Sequence, residues 1–315
     1  MKKDLERTTN GRKLIKSIHR KDNLEFVILS IPAVLLLIVF NYLPMLGITI
    51  AFKDYKPMLG ILKSPWAGFG NFEFFFTSQD AVRTIRNTLG YSLTFLILDI
   101  IVAIALALMF YYLSNKVCSK VYNTIVILPK FMSAVMVAFM VQILFNHNNG
   151  VINRLLEGCG IPAVKWYENA KYWPLILTGT HIWMTLGINS IIYHASLMGL
   201  DDALIEASAI DGANTPKQIW HIILPHLKPV IVISTILNLG QIFNGDFGLF
   251  YQVPMDVGLL YPTTDIINTY TFRALQEGSL AKSTAVGLFQ SVAGLIMVVG
   301  ANAVIRKISP EDSLF

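Results

Sequence analysis

Charge is what this sequence has least of. Of its 315 residues only 14% are Asp, Glu, Lys or Arg, while 54% are hydrophobic, and the mean hydropathy is +0.56. A soluble domain carries about a quarter charged residues, so there are too few polar side chains here to cover a water-facing surface. The same shortage excludes a disordered chain or a nucleic-acid partner, whose mark is dense charge and low hydrophobicity. Cysteine is nearly absent: Cys118 and Cys159 make no disulfide framework. No Gly-x-x-x-x-Gly-Lys-Ser/Thr phosphate loop occurs, so any ATP hydrolysis is left to a partner. There is no His-Glu-x-x-His, no cysteine pair at zinc spacing and no Gly-x-Ser-x-Gly elbow. We therefore expect no enzyme, no catalytic residues, and no metal or cofactor of the chain's own.

Long apolar runs fill the space that charge leaves. A membrane-spanning helix needs about 20 apolar residues, and six stretches qualify, roughly 26–51, 87–113, 122–145, 173–197, 229–250 and 284–305. Pro32, Pro44, Pro129 and Pro174 fall within or near them, as membrane helices tolerate. The fold class expected is an all-α integral membrane protein: a basic tail over 1–23, then one six-span domain over 24–315. The first 23 residues hold eight Lys or Arg against three acids, and no small-x-small cleavage site follows the first apolar run. That places the N-terminus in the cytoplasm, with a retained first span. Six spans return the C-terminus, with Arg306 and Lys307, to the same side of a cell membrane. The basic tail suits anionic lipid. On this topology the two cysteines lie on opposite sides and cannot pair within one chain.

The segment 198–228 is far longer than a simple connection needs. Asp201 and Asp202 precede a run of small helix formers, and Gly212 suits the left-handed residue that ends a helix. Thr215 then reads as an N-cap, Pro216 as the first helical residue and Gln218 as completing a capping box. Pro225 and Pro229 are expected to break the chain before the next span. The result is a cytoplasmic helix–turn–helix with one acid, Glu206, on its first arm. It either meets a partner surface or rests on lipid headgroups.

Polar residues inside spans should face a wet cavity or another helix. Asn238, Gln241, Asn244 and Asp246 read as one helical stripe on the fifth span, lining a solute path or gluing helices together. Amides and a carboxylate suit hydroxyl-rich solutes. On the fourth span Trp183, Asn189, Ser190 and Tyr193 offer an aromatic face or plain packing, and Gln290 is a lone candidate on the sixth. His181 and His194 read as core or cavity hydrogen-bonding groups. Asp99 in the second span and Lys130 in the third differ in depth by about 9 Å, so direct pairing is doubtful. An Asp99 proton relay would make the chain a proton-coupled secondary carrier, the main alternative.

Glu206-Ala207-Ser208, then three residues, Gly212, nine residues, Ile222, one residue, and Leu224-Pro225 resemble the EAA loop of binding-protein-dependent ABC importers. Asp211-Gly212-Ala213 follows the same habit, and Ser208 replaces a third alanine. Gly68-Phe69-Gly70-Asn71-Phe72 and Thr264-Asp265-Ile266-Ile267-Asn268-Thr269-Tyr270 look like the permease subfamily that serves oligosaccharides and polysaccharide fragments. The resemblance implies the type I importer permease fold and a second, non-identical permease subunit. It also implies two cytoplasmic ATPases that bind ATP and Mg, and an extracytoplasmic solute-binding protein. Glu206 would be the ionic contact to the ATPase and Ala207 and Ser208 the packing face. Asp211 and Gly212 would form the turn, and Ile222, Leu224 and Pro225 the return to the core.

Overall fold

The computed structural model describes residues 26–113 and 115–308; the basic tail over 1–23 lies outside them. Among the described residues the fold is helical, with one isolated bridge between Lys53 and Trp66. The main helices are α1 (Phe26–Phe52), α2 (Gln79–Tyr111), α3 (Lys116–Ile127), α4 (Ala134–Phe145), α5 (Trp173–Leu197), α6 (Asp202–Ile210), α7 (Thr215–Gly240), α8 (Phe247–Gln252), α9 (Ile267–Gln276) and α10 (Leu280–Ile308). Five of them are long and apolar enough to cross a membrane, and the bent pair α3–α4 makes a sixth crossing when counted as one. This is a multi-pass membrane protein.

Local chemistry sets the boundaries. Ser78 caps α2 by accepting the Ala81 N–H, and Asn115 caps α3 by accepting from Val117 and Cys118. The third apolar stretch, expected to be continuous, is instead broken. After α3 the chain tightens into a 3-10 turn over Leu128–Phe131, and α4 restarts at a bend of 98°. Pro129 has no N–H to continue the ladder, and the Ser133 hydroxyl accepts the Met136 N–H to begin the new helix. Lys130 sits exposed on this turn, at the break within the third apolar stretch.

The fifth stretch departs further. Pro225 and Pro229 do not interrupt it: α7 runs unbroken from the second arm of the hairpin into the membrane-length helix. A π-helical turn over Ile219–Ile223 widens the ladder just before Pro225, with the Leu224 N–H reaching the Ile219 carbonyl. Such a turn accommodates residues that a regular ladder cannot. At its other end α7 stops at Gly240, ten residues short of expectation, because Gln241 leaves the helical region and Asp246 starts α8.

α2 and α5 form the central pair, and α10 lies against α1, α7 and α9. Of the three hydrophobic clusters among the described residues, two lie along this central pair. One gathers Phe95, Val137, Trp173, Leu177 and Phe250; the other, nearer the hairpin, gathers Ala103, Ala107, Tyr193, Leu197, Ile223 and Leu227. Lipid is as apolar as these side chains, so close packing rather than water exclusion holds them together. The most apolar stretch of α1 buries none of its residues, which suits a lipid or partner surface.

Candidate functional site: a polar cavity and the hairpin below it

A cavity of about 210 Å³ opens between α2, α5 and the frayed end of α7. Asn238, Gln241, Asn244 and Asp246, picked out in the sequence, all line it. They do not form a helical stripe. Asn238 is on the last turn of α7, Gln241 is the residue after it, Asn244 lies in the following turn and Asp246 caps α8 through the Leu249 N–H. The chain leaves the helix here, and the open turn brings all four to one wall.

The amides are wired in one direction. Gln290 on α10 donates to Asn268 Oδ1 at 2.6 Å, Asn268 donates to Asn244 Oδ1 at 2.9 Å, and Asn244 donates to Gln241 Oε1 at 3.0 Å. Gln290 also donates to the Phe243 carbonyl at 2.7 Å, and Asn268 to that of Gly245 at 3.1 Å. Each amide polarises the next, and the row ends on the cavity-lining Gln241. Of the two alternatives, path and glue, these bonds bear out the glue, since they tie the end of α7 to α9 and α10; Gln241 and Asn244 also line the cavity. Asn268 was not singled out as a path residue, since it lies in a connection rather than a span.

The opposite wall carries Asp99. Its Oδ2 pairs with His181 Nε2 at 3.1 Å and its Oδ1 accepts from Thr185 at 3.1 Å. The His181 ring stacks on Phe95 at 3.7 Å with an interplanar angle of 5°. The partner of Asp99 is therefore His181, not Lys130. The other α5 candidates point elsewhere. Trp183 is about 200° around the helix from His181 at 100° per residue and lines an apolar groove with Val137, Leu144 and Leu175. Tyr193 is buried nearer the hairpin, with its hydroxyl 3.1 Å from Ser234. Asn189 is half-buried outside the cavity wall, and Ser190 bonds the Gly187 carbonyl.

A clamp closes the end of the bundle away from the hairpin. Asp265 is fully buried and accepts from Arg273 at 2.6 Å, Arg83 at 2.7 Å and Thr269 at 2.7 Å. Asn87 on α2 donates to its carbonyl. Arg273 lies 4.1 Å from the Tyr261 ring and also meets Asp256. Burial opposes its charge, but the Asp265 hydrogen bond and the neighbouring charges prevail and hold its pKa above the ordinary arginine value. Sequence reading missed this triad, because Arg83 and Asp265 are 182 positions apart. The adjoining Gly68–Phe72 segment is a brace: Asn71 donates to the carbonyls of Ala51 and Lys53, and Phe69 and Phe72 pack on Phe52.

At the other end α6 and the start of α7 form the expected hairpin. Asp201 caps α6 through the Ala203 N–H, and Gly212 has φ +80°, a left-handed turn that glycine adopts without strain. The second arm begins differently from expectation. Asn214, not Thr215, is its N-cap, accepting the Lys217 N–H. Gln218 does not complete a capping box: its buried side chain donates to Ser208 Oγ at 3.0 Å and so ties one arm to the other. Glu206, Ala207 and Asp211 are exposed, while Ile222 and Leu224 pack against the cluster around Leu197 and Leu227. Pro225 is exposed on α7. The second arm is the start of α7, Ile205 of the first arm packs on the same cluster, and the face carrying Glu206, Ala207 and Asp211 is left open.

Comparison with known proteins agrees with this architecture. Residues 99–310 match the family described as binding-protein-dependent transport system inner membrane component. Protein LplB of Bacillus subtilis (strain 168) is 34% identical over 98% of this chain and 97% of its own length. The polygalacturonan/rhamnogalacturonan transport system permease protein YteP of the same organism is 34% identical over 95% of this chain and 92% of its own. A crystal structure of a bacterial ABC transporter involved in the import of the acidic polysaccharide alginate superposes with a TM-score of 0.84. It is 33% identical and covers 94% of this chain and 99% of that one. Helical architecture, a polar cavity within the bundle, a match over two thirds of the sequence and near full-length relatives lead to one conclusion: the chain belongs to the family of binding-protein-dependent transport system inner membrane components, the permease subunits of ABC importers.

Proposed function

We propose that this permease carries an oligosaccharide or polysaccharide fragment through the cavity between α2, α5 and α7. The observation that carries the proposal is the directed amide row ending at Gln241, faced by Asn238 and Asp246. Amide donors and acceptors set side by side match the paired hydroxyls of a sugar. The named functions of the polygalacturonan/rhamnogalacturonan and alginate systems support the same solute class. The structure of the alginate transporter with its pentasaccharide-bound periplasmic protein supports delivery by an extracytoplasmic binding protein.

The remaining parts follow from that reading. A second, non-identical permease completes the path. Two cytoplasmic ATPases bind ATP and Mg, and this chain binds neither. Both termini and the hairpin face the cytoplasm. Each ATPase cleft grips an exposed hairpin face, with Glu206 as the ionic contact, Ala207 as the close-packing surface and Asp211-Gly212 as the turn. The Ser208–Gln218 bond makes the two arms move as one body, so ATPase closure reaches the π-turn and α7 together.

Two measurements test this on the complete complex in proteoliposomes. Gln241→Ala and Asn244→Ala each cut the amide row and are expected to lower oligosaccharide uptake about tenfold, a loss of roughly 1.4 kcal/mol, one or two neutral hydrogen bonds, without loosening the ATPases. Unchanged uptake in both variants would leave the row a purely structural feature. Glu206→Lys is expected to reduce solute-stimulated ATP turnover at least about tenfold by placing like charges at a docked interface, while the protein still inserts. Wild-type stimulation would remove Glu206 from the coupling contact, and uptake that needs no ATP would favour the proton-coupled carrier.

A further inference from the structure

Resting on the oligosaccharide reading, we propose that the half of the path supplied by this chain selects an uncharged oligosaccharide and excludes uronate-bearing ones. The cavity is lined by Asp246 on one wall and Asp99 and His181 on the other, and no Lys or Arg is among its lining residues. Asp99 is committed on both oxygens, to His181 and to Thr185. The imidazole therefore faces an acid rather than standing as an unpartnered cation on the wall. Asp246 adds a second carboxylate. One of its oxygens caps α8 at Leu249, and the residue is exposed at the cavity wall.

Two cations near the cavity, Arg83 and Arg273, already have carboxylate partners; Arg86, which lines a neighbouring pocket with Tyr91, bonds Asn87 and the Pro262 carbonyl and is not among the cavity-lining residues. Asp265 adjoins the lining residue Ile266 and holds Arg83 and Arg273, which are further engaged by Asp80 and Asp256. Each guanidinium is already held by the buried Asp265 and by a second, more exposed acid, so a sugar carboxylate would have to displace an existing ion pair. What the wall does present is neutral: the Gln241 end of the amide row and the Asn238 amide. A hydroxyl can donate to Asp246 and accept from an amide, so an uncharged sugar satisfies the wall. A uronate brings like charge toward Asp246 in a site partly shielded from water, where repulsion between charges several ångströms apart is not screened away. This sets the chain apart from what the names of its polygalacturonan and alginate relatives suggest.

The test separates this assignment from the reading beneath it. The complete complex is held in lipid nanodiscs without binding protein, so that binding-protein selectivity plays no part. Equilibrium binding is measured for α-1,4-galactotriose and α-1,4-trigalacturonate, which differ only in the carboxylates. Galactotriose is expected to bind at least about tenfold more tightly. Asp246→Asn, which keeps a capping oxygen for Leu249, is expected to narrow that gap to about threefold. Equal or tighter binding of trigalacturonate by the unaltered complex overturns the charge selection and leaves the oligosaccharide reading standing. A gap that persists unchanged in both Asp246→Asn and Asp99→Asn overturns it as well. Failure of both sugars to bind removes the oligosaccharide reading, and the charge assignment with it.

Discussion

Gly187→Val is expected to prevent stable assembly of the bundle. α5 crosses the end of α3 at this glycine, and a Cβ there would lie inside contact distance of the Val126 carbonyl and 2.7 Å from Ile127 Cα. Those are backbone atoms just before the Leu128–Phe131 break, so no rotamer change relieves the clash. Even modest overpacking of a tight interior costs about 1–3 kcal/mol, and a β-branched side chain against main chain exceeds that range. The measurement is the yield of monodisperse protein and its unfolding midpoint in mild detergent. Gly179→Ala, on the same helix with nothing within 4 Å of the added carbon, is the control. It should be neutral or stabilising by up to about 1 kcal/mol, since alanine is the better helix former. A Gly187→Val protein that melts like the control would mean that α3 and α5 do not cross here.

Asp265→Asn is expected to cost about 3 kcal/mol, the lower end of the ~3–5 kcal/mol typical when one partner of a buried ion pair is removed. The carboxylate is completely buried, and its loss leaves Arg83 and Arg273 facing a neutral amide that cannot accept from both as strongly. The estimate sits at the lower end because each arginine keeps a second, more exposed acid, Asp80 or Asp256. Arg83 is the more vulnerable, since its Nε is already buried without a partner. Asp80→Asn removes a half-exposed partner and should cost under about 1 kcal/mol. Unfolding midpoints of the two variants in the same detergent provide the comparison. Equal small shifts would show that the clamp is held by its backbone and aromatic contacts rather than by charge. The clamp also fixes Ile266 and, through α9, Asn268, so Asp265→Asn should loosen the amide row as it destabilises the fold.

Much of the molecule was readable from residues alone, and the reason is physical. A span announces itself by apolar length, because hydrocarbon leaves the backbone no option but an internally bonded helix. The helix start marked by Asp201 and Asp202 and the Gly212 turn were equally local, each depending on nearby side chains or one backbone conformation. Asn238, Gln241, Asn244 and Asp246 were placed at the cavity by the cost of burying polar groups in lipid, although the helical stripe assumed for them was wrong.

Structure was needed wherever the deciding partner is far away in the chain. Asp99 meets His181 across 82 positions and Arg83 meets Asp265 across 182. Gln218 could satisfy either the start of its own helix or Ser208 on the opposite arm, and packing chose the second. Trp183 and Tyr193 were chemically suitable for a solute wall, but the rotation of α5 turned His181 to the cavity instead. Pro129 and Pro225 both follow Ile-Leu, yet one ends a helix and the other continues one. A proline removes one hydrogen-bond donor in either place; whether the chain bends or widens to absorb the loss depends on the neighbours against which it packs. Local composition thus determined which stretches are apolar enough to span and the polar residues available to them, while long-range contacts decided which of those residues face one another.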